Sequence, residues 1–127
     1  MSEKRFGDKD TVEYFLVYSA LIQAARLRGT VTYQELALLT GLPLRGNHMS
    51  GSLGWVLGSI SENEVKHNRP MLSALCITVN GKPGTSFLPF ARKLGLLDSD
   101  DPEQEQAFWE NQCKACYQVW QQQFPKK

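Results

Sequence analysis

No stretch of this chain approaches the ~18 consecutive apolar residues that a membrane-spanning helix needs. The opening residues, Met1-Ser2-Glu3-Lys4-Arg5-Phe6-Gly7-Asp8, are charged where a secretory signal carries an apolar core. These absences predict a cytoplasmic protein with no membrane partner. Cysteine is scarce: Cys76, Cys113 and Cys116 cannot all pair within one chain, which argues against a disulfide framework and predicts reduced thiols. Neither sign of charge dominates, and a net charge of +1 argues against a strong polyanion binder. The distribution is uneven, however. Residues 1–97 hold 11 Lys and Arg against 7 Asp and Glu, whereas residues 98–127 hold 3 against 6. A mildly basic body with an acidic terminal segment is compatible with contact to a phosphate backbone, and equally with ordinary surface charge. Internal repeats and low-complexity tracts are also missing. At this length one core suffices, since a domain of ~150 residues buries roughly two thirds of the surface its unfolded chain exposes. We therefore expect residues 1–127 to form a single domain, with about 10–97 as its core unit and about 101–124 as a C-terminal helix packed on it.

What is present is helical periodicity with clear punctuation. Val12, Phe15, Leu16, Ser19, Leu21, Ile22 and Ala25 follow the spacing of one helix face, starting after Asp10 or Thr11 and ending near Gly29. Thr32-Tyr33-Gln34-Glu35 has the form of a capping box, so a second helix starts there, turns Leu36, Ala37 and Leu39 inwards and stops at Gly41. Leu42-Pro43-Leu44-Arg45-Gly46-Asn47 is a turn. From about Met49 the spacing of Leu53, Val56, Leu57 and Ile60 predicts a third helix to about residue 60, despite Gly51, Gly54 and Gly58. Each glycine costs about 1 kcal/mol against alanine in a helix interior, so something close-packed or close-approaching is expected to compensate. The polar run from Ser61 to Asn68 reads as a break, or as another short helical turn.

Leu72 to Val79 reads as a strand, and Asn80-Gly81 after it is a hairpin signal. Pro83 cannot donate to a ladder, so the returning strand is short or lies at an edge. Phe87 to Leu94, closed by Gly95, is a short helix. Asp101-Pro102 starts a last helix that runs to about Phe124. The order predicts an α+β fold: a winged helix-turn-helix core of three helices plus a β-hairpin wing, with an added C-terminal amphipathic helix.

The stretch Gly29-Thr30-Val31-Thr32-Tyr33-Gln34-Glu35-Leu36-Ala37, then Gly41-Leu42-Pro43, Leu53-Gly54-Trp55-Val56-Leu57, Asn68-Arg69-Pro70 and Asn80-Gly81 resembles the DNA-binding domain of alkyltransferases and alkyltransferase-like proteins. The resemblance covers about half the chain and implies the same winged-helix fold. It also implies that Tyr33 matches the tyrosine that presses on the phosphodiester of a flipped nucleotide. Two devices of that family are absent: Gly51 falls where the arginine finger stands, and Pro70-Met71-Leu72-Ser73 replaces the reactive cysteine motif. The likeness therefore implies DNA binding without alkyl transfer. Arg69-Pro70-Met71-Leu72-Ser73-Ala74 also resembles a strand found in small uncharacterised bacterial and phage-borne proteins. Their later Pro-Gly-x-Gly-Phe element is matched by Pro83-Gly84-Thr85-Ser86-Phe87, with Ser86 in place of glycine. This second likeness implies no activity.

The helix-turn-helix pattern makes the helix of about 49–60 the reader, its N-terminal residues nearest the bases. Arg45, Asn47, His48, Ser50 and Ser52 gather at that end with side chains suited to phosphate or base edges, and Tyr33, Arg69 and the wing residue Lys82 complete the candidate interface. A Gly/Ser-rich helix packed against another protein helix is the plain alternative. Cys113-Lys114-Ala115-Cys116 has the spacing of half a zinc site, but it lies mid-helix with no second pair. Trp109, Cys113, Cys116, Tyr117, Trp120 and Phe124 instead make one apolar stripe, destined for a core or a partner. Glu62, Glu64, His67 and Arg69 form the one dense polar cluster. It could hold a divalent metal or supply an acid and a base, or simply solvate a loop.

The expected function is thus a noncatalytic protein binding duplex DNA, without cofactor or metal, as a monomer or homodimer. The competitor is a protein-binding adaptor, or an inhibitor of a host defence or nucleic-acid enzyme encoded on a phage or mobile element, with the aromatic C-terminal helix as contact face. A metal-dependent hydrolase at Glu62, Glu64 and His67 is the third reading.

Overall fold

Thr11 starts the first helix, α1 (Val12–Arg26), by accepting a hydrogen bond from the Tyr14 amide at 3.2 Å. Its buried face is Tyr14, Val17, Leu21 and Ala25. Val12 and Phe15, expected inside, are 69% and 55% exposed. The helix carries two overlapping apolar stripes, and periodicity alone does not choose between them. In the computed structural model, residues 5–42 and 51–121 are described, together with the backbone but not the side chains of 47–50. Arg45 and Phe124 lie outside the described residues, as do the side chains of Asn47, His48 and Ser50.

Strand β1 (Val31–Thr32) leads directly into α2 (Tyr33–Thr40). Both halves of the capping box form: the Glu35 amide donates to Thr32 Oγ1 and the Thr32 amide to Glu35 Oε1, each at 3.1 Å. Gly41 ends α2 at φ +82°, a conformation that costs a side-chain-bearing residue but not glycine. α3 then runs over Asn47–Lys66, past the expected break at Ser61. The polar residues there are helical because they have partners on the inside. Ser61 is buried and its hydroxyl donates to Ser73 Oγ at 2.7 Å, while buried Glu64 meets Arg69.

The segment read as a strand is mostly something else. Leu72–Leu75 forms a 3₁₀ turn, and only Cys76–Ile77 is extended, as β2. A run buried at every position can be either, and here the last helix, α5 (Pro102–Trp120), takes the backbone groups that a ladder would use. Gln112 accepts from the Met71 amide at 2.9 Å, Cys116 donates to the Met71 carbonyl at 3.4 Å, and Trp109 Nε1 donates to the Ala74 carbonyl at 2.8 Å. β1 and β2 pair in parallel, with Val31 opposite Cys76 and Thr32 opposite Ile77. The turn at Asn80-Gly81 closes through Thr78 N to Lys82 O at 2.8 Å, and the returning arm is a single antiparallel bridge between Ile77 and Pro83. Among the described residues the fold is thus α+β, five α-helices with a two-stranded parallel sheet, α4 (Phe87–Lys93) lying between the turn and α5.

The main core joins Val17 and Leu21 of α1, Leu36 of α2, and Leu53, Val56 and Ile60 of α3 to Leu72, Leu75 and Cys116. A second cluster joins Met71 and Ala74 to Phe87, Ala91 and Leu97, with Phe108 and Trp109 of α5 against it. Asp101 caps α5 by accepting from the Gln104 amide at 3.2 Å. Its stripe of Trp109, Cys113, Cys116, Tyr117 and Trp120 turns onto these two clusters, and the Tyr117 hydroxyl donates to the Gly29 carbonyl at 3.0 Å. No helix among the described residues is long and apolar enough to cross a membrane.

Candidate nucleic-acid interface

The first turn of α2 places Tyr33 and Gln34 opposite Gly51 and Gly54 of α3. With Thr78 and Val79 before the turn and Gly84, Thr85 and Ser86 after it, they line a cleft of about 630 Å³. Gly84 is required by this arrangement: a Cβ there would lie 1.7 Å from the Tyr33 hydroxyl oxygen and 2.5 Å from its Cζ. Burial, with Cys76 close by, pushes the Tyr33 phenol up to about 12, against a hydrogen bond with Ser86 that pulls the other way. At neutral pH it is an uncharged donor and acceptor. None of the described lining side chains carries a charge.

The thiols are not placed to react. Cys76 is wholly buried, and burial raises its pKa far above the ordinary range. Burial likewise raises Cys116 and pushes Cys113 up to about 11, and both donate to carbonyls of the 3₁₀ turn rather than facing each other across a metal. The outer face of α3 beyond Gly54 opens into a second depression of about 410 Å³, lined by Trp55, Gly58, Ser59, Glu62, Phe90 and Lys93. Trp55 is 45% exposed, held by its Nε1 hydrogen bond to Asp8 at 3.2 Å and covered on one face by the Arg5 guanidinium, 4.2 Å from the ring centroid.

The residues singled out from the sequence fall into two places. Tyr33 walls the cleft, Ser52 is half-buried on α3 next to the lining residue Gly51, and Lys82 is exposed in the turn, where it borders a separate depression of about 400 Å³ with Pro83, Arg92 and Trp109. Asn47, His48 and Ser50 belong by backbone to the first turn of α3. Arg69 is elsewhere. Its Nε and an Nη donate to Glu64 Oε2 at 2.9 and 2.7 Å, and it stacks 5.5 Å from the Trp120 ring. The Tyr18 hydroxyl donates to the same carboxylate oxygen and accepts from Asn63 at 3.1 Å. Glu64 stands 13 residues along α3 from Gly51, so about 20 Å separates this group from the cleft end at ~1.5 Å per residue.

The polar cluster likewise does not converge. Glu62 is exposed and pairs with Lys66 at 3.9 Å, Glu64 is wholly buried, and exposed His67 sets its Nδ1 2.8 Å from the Asn63 carbonyl oxygen. Among the described residues no group of three or more His, Cys, Asp or Glu side chains could hold a metal ion. Gln34, Gly84, Thr85 and Ser86 were not anticipated as site residues. The one sequence signal for them is Gly84 itself, a glycine beyond the hairpin turn. No family model matches the chain, and no curated protein or solved structure matches it.

Proposed function

We propose that this chain is a noncatalytic protein that binds duplex DNA in a reducing, cytoplasmic setting, with α2 and α3 as its helix-turn-helix, α3 as the reader and the Asn80-Gly81 turn as a reduced wing. The observation that carries the reading is the neutral cleft beside the open face of α3. Among the described residues nothing lies within 4 Å of where a Gly51 Cβ would project, which leaves room for a phosphate or base edge to approach the helix backbone. The adjoining 630 Å³ cleft falls within the ~300–1,000 Å³ typical of ligand sites. Its phenol, amide and hydroxyls suit an uncharged, hydrogen-bonding ring, which is what an everted base presents. Lys82, exposed in the turn that follows Thr78 and Val79 of the cleft wall, is the cation this reading assigns to a phosphate. The buried, protonated Cys76 favours binding over group transfer, and the three free thiols suit a reducing compartment.

The test is fluorescence polarisation with labelled duplex and single-stranded DNA over roughly 50–300 mM salt, where log affinity should fall linearly with log salt by about 0.9 per phosphate neutralised. Binding to duplex that ignores salt, or no binding at all, would refute the proposal. Incubation with duplex containing O6-alkylguanine should leave the intact mass unchanged.

One observation favours the adaptor reading. Phe15 of α1 borders a shallow groove of about 450 Å³ with Tyr18, Ile22 and Trp120, and Val119 is 47% exposed on α5. The aromatic stripe of α5 that this reading relied on is turned into the chain's own core.

A further inference from the structure

The carboxamide of Gln34 has no explanation in the fold. It occupies the second position of α2, lines the cleft, and its Oε1 is buried without a hydrogen-bond partner among the described residues. A buried acceptor left unpaired costs about 1–3 kcal/mol, so such a group in a native protein calls for a reason. The other polar groups of the cleft do not choose between ligands. The hydroxyls of Thr78, Thr85 and Ser86, and the Tyr33 phenol, donate or accept as the occupant requires. A carboxamide oxygen can only accept. As it stands that oxygen is sealed from solvent, and rotation about the terminal torsion, which is broad and roughly two-fold, would bring it to an occupant of the cleft.

We infer that Gln34 is the specificity-determining residue of the cleft, and that it selects a base carrying an exocyclic amine, whose N–H donates to Gln34 Oε1. This rests on the DNA-binding reading, and concerns which base is held rather than whether DNA is bound. A base with an amine at that edge satisfies the orphaned oxygen, whereas the same ring without it leaves the oxygen unpaired and its own site desolvated. Discrimination of about tenfold follows, the size expected for one neutral hydrogen bond at a buried acceptor.

The experiment measures affinity for three duplexes: one fully paired, one with adenine opposite an abasic site, and one with unsubstituted purine opposite the abasic site. Free adenosine and purine riboside are titrated in parallel. The wild-type protein should prefer adenine to purine by about tenfold. Gln34→Leu should bring that ratio to about one, whatever its effect on fully paired duplex, and Gln34→Met serves if the leucine variant does not fold. Equal binding of the two bases by wild type, or a preference that survives in the variants, would overturn the inference while salt-dependent duplex binding stands. Absence of all duplex binding would overturn the DNA reading instead. The free nucleosides then decide: an amine preference lost on substitution supports the role of Gln34, and no nucleoside binding removes it as well.

Discussion

Replacing Arg69 with methionine should destabilise this protein far more than replacing its partner Glu64, although the two form one ion pair. The asymmetry comes from burial. The Glu64 side chain is 0% exposed and that of Arg69 is 31% exposed. Glu64 Oε2 collects both Arg69 nitrogens and the Tyr18 hydroxyl, while Oε1 has no partner. Arg69→Met leaves a carboxylate sealed in the interior with one hydroxyl for company, a situation that costs about 3–5 kcal/mol. That is a large share of the ~5–15 kcal/mol that holds a domain of this size together. Glu64→Leu instead leaves a guanidinium that already reaches water and lies against Trp120, so its loss should be closer to ~1 kcal/mol. The double variant Glu64→Leu/Arg69→Met removes both charges and should return to within about 1–2 kcal/mol of wild type, since apolar replacement of a buried pair is often neutral or better. Urea denaturation of the four proteins, read as midpoints at a common slope, measures all three quantities. A cost under ~1 kcal/mol for Arg69→Met, or a larger cost for Glu64→Leu, would refute the claim that burial of the carboxylate decides the energetics. The same variants bear on function. With Arg69 occupied by Glu64, the double variant should bind DNA as wild type does.

Gly51→Ala should raise stability by up to about 1 kcal/mol, because the position is helical and open, yet lower duplex affinity by blocking close approach to the backbone; a gain in stability with unchanged affinity would remove α3 as the reader. Tyr33 keeps its proton to about 12 in the fold against 10.0 when exposed, so between those values the unfolded chain has released a proton that the native state retains. Stability is therefore full below pH 10 and falls as pH rises towards 12, at a slope of at most ~1.4 kcal/mol per pH unit from this group, and urea midpoints for Tyr33→Phe should show a shallower decline. Tyr14, Tyr18 and Tyr117, raised chiefly by burial, maintain part of that decline in the variant. Trp120→Ala should cost about 3 kcal/mol, since its ring packs on the main core and against Arg69; thermal melting at unchanged normal stability with a smaller hydrodynamic size would instead assign α5 to a partner.

Local chemistry was the most legible part of the chain. The capping box at Thr32 and Glu35, the glycine stop at Gly41 and the Asp101-Pro102 start of α5 each depend on two or three neighbouring residues, and each forms as the sequence indicates. Legibility fell where two local patterns competed or where a distant partner changed the meaning of a polar residue. α1 has two apolar stripes, and the one with Val17, Leu21 and Ala25 won. Ser61 and Glu64 read as a helix break because serine and glutamate are usually solvated. They are interior residues only because Ser73 and Arg69, 12 and 5 positions away, meet them. Leu72 to Leu75 read as strand because its residues are apolar, but the Ala74 carbonyl is taken by Trp109, and the backbone of Met71 just before the turn by Cys116 and Gln112, which no local window contains.

The cleft follows the same logic one step further. Tyr33 and Lys82 could be named from the sequence because tyrosine at a helix start and lysine in a hairpin turn are local features. The wall opposite Tyr33 could not, because it is made by backbone at Gly84 and by hydroxyls that no periodicity singles out. Nor does an amide at position 34 differ on paper from any exposed glutamine in a first turn. It becomes a candidate only when its oxygen is found buried without a donor, on the side of α2 that faces Gly51 and Gly54. The glycines of α3 then acquire a reason as well. At Gly58 a Cβ would come within 3.2 Å of the Phe90 ring, a packing requirement, whereas at Gly51 it would meet nothing within 4 Å among the described residues. Packing by the described residues does not account for Gly51, and the proposed close approach of DNA would give a reason for a helix that accepts about 1 kcal/mol of lost propensity there.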